Sequence, residues 1–504
     1  MYLLDRVSYW SPSPVTLFRR NPGPFMSTSS PALFALSPEA LWTWGRRLLR
    51  AGLVFGLLVV ALIAWKASFL APFFPLALIA LTGTVFLFKR PTLNLYVALA
   101  AFVLITGYSE GLQVEEALYG LYFLAVLTHW FVMRVFFYRD GLLQAPEDGV
   151  LLCFLLYAAA SAVWGMMFGA EVGTIIGEVL VLVMLAFYYP VKEVCARSPR
   201  GTLIVLGIIF WFALFVSLRN VLEYRAALSS ATKLYQIATG RVALNEVLLM
   251  MPALGFLVML LYARRWRSRL VLLGCFMMVF AGLILTQSRG YWAAFLFGAM
   301  ALFVLIDRRR KGRILLLMTG GMAVVLMLGF LLFEDFMSVI VGGIIERFAT
   351  LGTAITSDVS LVNRFYETAA LWERIQVNPL LGYGLGAPYQ YFNITVDATR
   401  RWAFVHNGYA GLWFKFGLVG LGLMLYFWGR SIWNGVQLFR MAQAPRVLRL
   451  AGLSAAICLI AETLVANTSN PFLISDATLM IALWGSLASG GLACARRLAA
   501  NEDA

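Results

Sequence analysis

Long, unbroken apolar runs are the feature that most constrains the fold of this chain. Fourteen such segments, each of roughly 16–22 residues, are about long enough to cross a bilayer as a helix. Their apolar residues are continuous rather than alternating with polar ones, which excludes a transmembrane β-barrel. Hydrophobic residues make up 61% of the 504 residues, more than a soluble globule could bury. The sequence therefore predicts an all-α, polytopic membrane protein with about 14 transmembrane helices.

The predicted spans can be placed directly on the sequence. They are 48–65, 69–88, 92–108, 117–138, 149–168, 173–190, 202–218, 242–262, 270–287, 290–306, 313–333, 405–428, 450–466 and 476–494. Eleven spans thus occupy residues 48–333, and three more occupy residues 405–494.

The basic residues are unevenly divided between the segments that join the spans. If the N-terminus is cytoplasmic, every segment on that side is basic, and most of the 40 Lys and Arg residues lie there. Short cytoplasmic loops of membrane proteins carry this bias. The pattern predicts a cytoplasmic leader, 1–47, and a cytoplasmic tail, 495–504. It also explains the net charge of +15 without nucleic acid as a partner.

Two connections on the opposite, external side are long. They are 219–241 and 334–404, and loops of this length within a compact protein are usually functional. The second contains two helix-like stretches with an apolar face, 336–341 and 363–375. We expect two or three short amphipathic helices there, lying on the outer membrane surface.

Three arginines are predicted on this external side. Arg289 lies with Ser288 in a tight turn between two spans, where snorkelling to lipid headgroups is the alternative role. Arg364 opens the helix at 363–375, and a surface ion pair with Glu367 is its alternative. Arg241 stands at the outer end of a span, one turn above Asn245.

His406 and Asn407 lie where the long loop re-enters the membrane. The chain has two histidines, and His129, within a predicted span, is interpreted as a packed helix residue. His406 is a candidate to take a proton from a sugar hydroxyl, with a structural role as the alternative. Lys415 lies nine residues further, about 13 Å deeper along a helix.

An ammonium at that depth is costly unless it faces water or a partner. The candidate partners of Lys415 are Glu178, Glu246 and Glu462. Structural contacts of this kind are favoured over catalysis for these carboxylates.

Several motifs of soluble enzymes are missing from the sequence. It has no P-loop, no HExxH, and no Asp-x-Asp in the external loops, so neither a metal nor a cofactor is expected. The stretch 378–386, Asn-Pro-Leu-Leu-Gly-Tyr-Gly-Leu-Gly, has the wrong spacing for a phosphate loop and alone predicts a flexible turn.

Taken in order, these features resemble the O-antigen ligase and O-antigen polymerase superfamily of bacterial envelope glycosyltransferases. The resemblance runs from about Arg241 to Gly422. It rests on the Ser-Arg-Gly turn at 288–290, the arginine of Asn363-Arg-Phe-Tyr-Glu, the stretch 378–386, and His406-Asn-Gly-Tyr followed by Phe416-Gly-Leu-Val-Gly-Leu-Gly.

The resemblance implies a GT-C-like membrane fold in the bacterial inner membrane, with the active site facing the periplasm. It implies metal-independent, inverting transfer of a glycan from an undecaprenyl pyrophosphate-linked donor. His406, Arg289 and Arg364 would then be catalytic. The expected substrate-binding residues are Arg241, Asn245, Ser288, Asn407 and Lys415.

Three functions remain open from the sequence. The first is a polymerase that joins lipid-linked repeats, with a chain-length regulator as a possible partner, and the number of spans favours it. The second is a ligase that transfers the finished chain to lipid A-core. The third is a transporter of an anionic lipid or solute, which predicts an inverted repeat that the sequence does not show.

Overall fold

The computed structural model describes residues 83, 86–105, 114–138, 141, 143–230, 245–332, 342, 359–394 and 396–502. The chain divides into two units, Met1–Ile79 and Ala80–Ala504, and all described residues belong to the second. The predicted leader, the first predicted span and Arg241 lie outside the described residues, as do most of the second span and the stretch 336–341.

Helices account for nearly all of the described chain. They are α1 (Pro91–Ile105), α2 (Val114–Val132, continued by a π-helical turn at Met133–Tyr138), α3 (Pro146–Met167), α4 (Val172–Ala186), α5 (Tyr188–Arg197), α6 (Pro199–Ser230), α7 (Val247–Tyr262), α8 (Trp266–Leu285), α9 (Arg289–Leu305), α10 (Arg308–Leu332), α11 (Val359–Val377), α12 (Gly408–Arg440), α13 (Arg446–Val465) and α14 (Ser475–Glu502).

The all-α, polytopic membrane fold predicted from the apolar runs is confirmed. Eight described helices are long and apolar enough to cross a bilayer, and three shorter apolar helices lie at 91–104, 247–262 and 289–305. The predicted spans from 92–108 onward are largely helical where the structure describes them, and the span 173–190 covers α4 and the start of α5. Continuous apolar runs fold as helices in lipid because a helix satisfies its own backbone hydrogen bonds.

Helix α14 lies at the centre of the helical core. In its most apolar stretch 94% of the residues are buried, against 17% in α2. Helices α5, α12 and α13 pack around α14, and α3 packs along α12. This central group includes the helices that carry the polar residues described below.

Helix α12 is interrupted at Gly417. That residue has φ 61° and ψ −171°, a backbone conformation essentially confined to glycine. The helix also continues to Arg440, beyond the predicted end of the span at 428, and in this later part Asn434 is buried and donates to Glu147 at 2.7 Å. A polar residue with a partner does not end a buried helix.

The described part of the long connection 334–404 is more ordered than a set of surface helices. The predicted helix at 363–375 lies within α11, which has 19 residues. It is followed by an antiparallel hairpin of β1 (Tyr389–Asn393) and β2 (Ala398–Trp402), in which Tyr389 pairs with Trp402. The hairpin was not predicted.

Candidate functional site

Helix α11 positions a buried carboxylate next to His406. Glu367, Leu371 and Ile375 recur at i, i+4 and i+8, so all three lie on the buried face of α11. The Glu367 carboxylate accepts the His406 backbone N–H at 2.6 Å and contacts His406 Nδ1 at 2.7 Å. The Glu367 side chain is 3% exposed, whereas that of His406 is 40% exposed. The Nδ1 edge of the imidazole is therefore held by Glu367, while another part of the ring reaches the protein surface.

Aromatic residues enclose this pair. The Phe404 ring meets the His406 ring edge-on, with centroids 5.2 Å apart, and the Tyr389 hydroxyl donates to the Phe404 carbonyl at 2.8 Å. Burial, followed by the nearby Glu367 carboxylate, raises the pKa of the Tyr389 phenol well above its usual range. Tyr389 thus stays a neutral hydrogen-bond donor that supports the backbone next to His406.

Glu367 does not lie at the surface. The alternative weighed for Arg364 was a surface ion pair with Glu367, and Glu367 is buried with its carboxylate against His406. Arg364 is half-buried on α11, one turn before Glu367, and has contacts within the protein. The helix therefore places Arg364 close to the Glu367–His406 pair.

Residues 466–471, the first part of the connection between α13 and α14, join the two halves of the candidate site. On one side, Gly408 N–H donates to the Ala466 carbonyl at 2.8 Å, and Asn470 Nδ2 donates to the Val405 carbonyl at 2.9 Å. On the other side, a Cβ at Gly290 would lie 3.1 Å from Thr468 Oγ1. The turn that carries Arg289 and the segment that carries His406 thus border the same short connection.

Polar contacts with neighbouring residues hold the turn at 286–290 and the start of α7 beside it. Ser288 precedes the first residue of α9, and its hydroxyl donates to Glu246 Oε1 at 2.7 Å. Arg289 begins α9, is half-buried and has contacts within the protein. Asn245, beside Glu246, donates to Asp476 Oδ2 at 2.9 Å and accepts from Arg219 at 2.6 Å.

Asn407 and Lys415 take up different positions on α12. The Asn407 side chain caps the helix by accepting the Ala410 N–H at 3.0 Å. The Lys415 side chain is fully buried, and its Nζ lies 2.6 Å from Glu178 Oε1, one of the three partners expected for it. A buried and paired ammonium favours a structural role over direct contact with substrate.

The glycine-rich stretch 378–386 is a fixed element of the site. Gly382, Gly384 and Gly386 all have positive φ, between 70° and 84°. Tyr383 and Gly384 donate their N–H groups to the Phe414 and Lys415 carbonyls, both at 2.8 Å. The flexible turn expected from the stretch alone is therefore wrong for the folded protein, because neighbouring helices fix its backbone.

This stretch also forms hydrogen bonds with the backbone at the break in α12. Leu418 N–H donates to the Pro379 carbonyl at 2.8 Å, and a Cβ at Gly417 would overlap the Leu380 carbonyl. On the far side, Gly386 N–H donates to Glu178 Oε2 at 2.7 Å. The backbone groups released at Gly417 thus find partners within the protein, as lipid surroundings require.

Sequence reasoning missed three contacts of this arrangement, those of Glu367 with His406, of Asn470 with Val405 and of Glu178 with Gly386. Glu367 carried a usable signal, since its spacing from Leu371 and Ile375 places it on the apolar face of α11. Asn470 carried none, because a short polar connection between two spans looks like an ordinary turn. The link from Glu178 to Gly386 joins residues far apart in sequence.

In the described residues, no group of three or more His, Cys, Asp or Glu side chains is arranged to hold a metal ion. The candidate site combines an imidazole on a buried carboxylate with two half-buried arginines, one at the start of α9 and one on α11. Such an arrangement can accept a proton and bind an anion.

Comparison with known proteins identifies the class of the region that carries these residues. Residues 273–425 match the family model described as O-antigen ligase. The match covers less than a third of the chain, and it includes Arg289, Arg364, the glycine-rich stretch, His406 and the break at Gly417. A search of curated proteins found no significant match.

The match confirms the resemblance to the O-antigen ligase and polymerase superfamily. It indicates an enzyme with O-antigen ligase or polymerase-type activity, located in a membrane by its apolar helices. Glu178 and the connection 466–471 complete the site from outside the matched residues.

Proposed function

We propose that this protein transfers a glycan from an undecaprenyl pyrophosphate-linked donor to a sugar hydroxyl on the external face of the bacterial inner membrane. The observation that carries this proposal is the placement of His406 against the buried carboxylate of Glu367. Imidazole orientation by a carboxylate is a recurring arrangement in general base catalysis.

The Glu367 contact decides which ring nitrogen can act as the base. A carboxylate accepts hydrogen bonds, so Nδ1 carries the proton and Nε2 keeps its lone pair. With the His406 side chain 40% exposed, Nε2 is the nitrogen suited to receive a proton from the acceptor hydroxyl. Glu367 then stabilises the imidazolium that forms.

Arg289 and Arg364 serve the leaving group in this proposal. The acceptor oxygen forms a bond to the anomeric carbon while the bond from that carbon to the donor pyrophosphate breaks. The proton passes to His406, and negative charge collects on the departing lipid pyrophosphate. Guanidinium groups match phosphate oxygens in geometry and stay charged, so they stabilise that charge.

A single displacement of this kind inverts the configuration at the anomeric carbon. No metal is required for it, because the arginines supply the positive charge. Asn407, Ser288 and Asn245 are engaged within the protein and help to shape the site, and Arg241 is retained as a further candidate for the pyrophosphate.

The test is a glycan gel of a strain that lacks the chromosomal copy, complemented with wild type or with His406→Ala, Arg289→Ala or Arg364→Ala. Membrane levels are measured for each variant. Arg400→Ala is the matched control, because Arg400 is an exposed arginine of the hairpin that follows α11. We expect normal levels and loss of polymer in the three site variants only.

The glycan that remains distinguishes the two acceptors. Single repeats on the acceptor indicate the polymerase that we propose. Bare lipid A-core, with full chains left on the carrier lipid, indicates a ligase. Wild-type glycan in all three variants would overturn the site and leave transport of an anionic lipid as the function to test.

A further inference from the structure

The hairpin of β1 and β2 presents different side chains on its two sides. Successive residues of a strand point to opposite sides, and directly paired residues share a side. Tyr389 is buried on the inner side, where its hydroxyl donates to the Phe404 carbonyl, two residues before His406. Phe392 lies on the outer side and is 45% exposed. The thickness of one strand therefore separates the candidate site from an exposed aromatic ring.

Exposed apolar residues continue from Phe392 into the turn of the hairpin. Ile394 is 38% exposed and Val396 is 43% exposed. We call Phe392, Ile394 and Val396 the hairpin surface. Neighbouring apolar side chains that are left exposed together mark a surface that contacts a partner or a membrane.

The outer side of the hairpin faces the turn between α3 and α4. Arg401 pairs with Gln390, which lies two residues before Phe392 on β1. Arg401 and Phe392 therefore project from the same side of the hairpin. Arg401 Nη2 donates to the Gly169 carbonyl at 2.9 Å, and Gly169 lies between the end of α3 and the start of α4.

The ends of α3 and α4 at this turn are themselves apolar and exposed. Met167 is 80% exposed, Val172 is 61% exposed, and Phe168 between them is exposed as well. Both helices belong to segments long and apolar enough to cross a bilayer, so side chains exposed at their ends border the lipid. The hairpin surface thus lies next to an apolar surface that borders the membrane.

The residue types of the hairpin suit the boundary between lipid and water. Tryptophan is enriched at this boundary, and the guanidinium of an arginine can stay hydrated there while its stem lies along apolar groups. Trp402 and Arg401 are both exposed on β2. Polar groups in the headgroup region keep contact with water, so the exposed Asp397 at the turn stays hydrated.

We propose that the hairpin surface inserts into the headgroup region of the leaflet that borders the turn between α3 and α4. The partner is the lipid bilayer itself. Tyr389, on the other side of the same strand, then holds the backbone next to His406 at a fixed height above the membrane. The membrane contact does not depend on the glycan-transfer proposal.

The Arg401 contact favours the bilayer over a second copy of the chain or another protein. It places the hairpin surface beside side chains of α3 and α4 that border lipid. A protein seated on the hairpin surface would have to displace that lipid, whereas the bilayer covers both surfaces at once.

The experiment measures the depth of the hairpin surface in proteoliposomes of phosphatidylethanolamine and phosphatidylglycerol. Phe392→Cys and Val396→Cys are each labelled with a nitrobenzoxadiazole fluorophore in the full-length protein, and the unsubstituted chain, with its five cysteines, gives the background. We expect blue-shifted emission at both positions, with quenching by lipids that carry a nitroxide on the upper acyl chain. Glu373→Cys is the control, because Glu373 is exposed on the side of α11 opposite its buried residues. It should emit as in water and stay unquenched.

A second set of variants tests whether the apolar character of the hairpin surface is required. With the fluorophore at position 392, Ile394→Asp/Val396→Asp adds two charges and should abolish the quenching. Ile394→Leu/Val396→Leu keeps the surface apolar and should leave the quenching unchanged.

Three results overturn the proposal. The first is emission and quenching at positions 392 and 396 equal to those at position 373. The second is quenching that persists in Ile394→Asp/Val396→Asp. The third is blue-shifted emission without quenching by lipid, which would show that another copy of the chain covers the hairpin surface.

Discussion

At the scale of single residues, Glu367 determines the chemistry available to His406. The Glu367 side chain is 3% exposed, and its carboxylate contacts both the backbone N–H and the ring of His406. A buried carboxylate with two such contacts leaves the imidazole little freedom to rotate. The ring is thus held before a substrate arrives, which is what efficient proton transfer requires.

Glu367→Gln tests this dependence with the smallest possible change. The amide keeps an oxygen for the His406 backbone N–H, but it presents an NH₂ donor to Nδ1. The proton then moves to Nε2, the nitrogen that must accept. We expect kcat to fall by about 10²- to 10⁴-fold with little change in KM, as measured by glycan transfer in proteoliposomes.

The matched control for Glu367→Gln is Glu373→Gln, which makes the same substitution at an exposed position of α11. It should transfer glycan at the wild-type rate. The double variant Glu367→Gln/His406→Ala should lose no more activity than His406→Ala alone, because the two residues act as a unit. Additive losses would show that Glu367 acts independently of His406.

At this scale the sequence singles out some of the candidate residues. His406 and the two arginines stand out because charged groups are scarce among apolar spans. Glu367 could have been recognised by its spacing on α11, whereas Asn470 could not, since its bond to the Val405 carbonyl depends on how two distant segments pack.

At the scale of elements, the break in α12 depends on one glycine. The conformation at Gly417 is essentially closed to other residues, and a Cβ there would overlap the Leu380 carbonyl. Gly417→Ala should destabilise the protein by at least about 1–3 kcal/mol and displace the glycine-rich stretch. Thermal unfolding in detergent, together with glycan transfer, measures both effects.

Gly422→Ala provides the comparison, because Gly422 lies in the same helix with no atom near its Cβ position. That substitution should leave stability equal or higher, by up to about 1 kcal/mol. Equal melting temperatures for the two alanine variants would mean that the break is not a structural requirement.

The Lys415–Glu178 pair ties α12 to α4 and to the glycine-rich stretch. Lys415→Met leaves the Glu178 carboxylate without its cation and should cost about 3–5 kcal/mol. Lys415→Met/Glu178→Gln removes both charges while the amide oxygen can still accept the Gly386 N–H. We therefore expect the double variant to melt at a higher temperature than the single one.

The same pair of variants separates structure from substrate binding. If Lys415 acts through packing alone, KM for the lipid-linked donor in Lys415→Met/Glu178→Gln stays at the wild-type value. A large increase in KM with normal stability would instead return Lys415 to the substrate-binding residues.

The sequence predicts helices far better than it predicts the hairpin. The apolar runs from 92–108 onward are largely helical because lipid leaves few other choices. In the hairpin, β1 alternates buried and exposed residues, which is a usable signal, but all five residues of β2 are exposed and polar Arg400 and Arg401 lie within it. An exposed strand lacks the alternation of apolar and polar residues from which a strand is predicted.

At the scale of the whole molecule, the orientation in the membrane is a prediction with a direct measurement. Thr399→Cys lies in the exposed strand β2, and Ala442→Cys lies in the exposed turn between α12 and α13. We expect an impermeant maleimide to label only the first in intact spheroplasts and both after lysis. Labelling of Ala442→Cys alone in intact spheroplasts would invert the topology, and the unsubstituted chain, with its five cysteines, sets the background.

The whole site could not have been assembled from the sequence. Its residues come from the turn before α9, from α11, from the glycine-rich stretch and from the start of α12, all within one matched region. Their supports on α4 and at 466–471 lie outside it and are joined to it only by packing. Contacts between residues so far apart in the sequence leave no local pattern from which they could be predicted.

The way in which the glycine-rich stretch is seated has a consequence for exchanging parts between relatives. A Cβ at Gly384 would overlap the Ser161 carbonyl, and a Cβ at Gly165 would overlap the Leu385 carbonyl, so the stretch and α3 fit each other at backbone contact. The long connection between α10 and α12 therefore cannot be exchanged on its own. A chimera that receives this connection from another enzyme should need the matching α3 and α4 as well. We expect substrate specificity to be transferred only when all three segments are exchanged together.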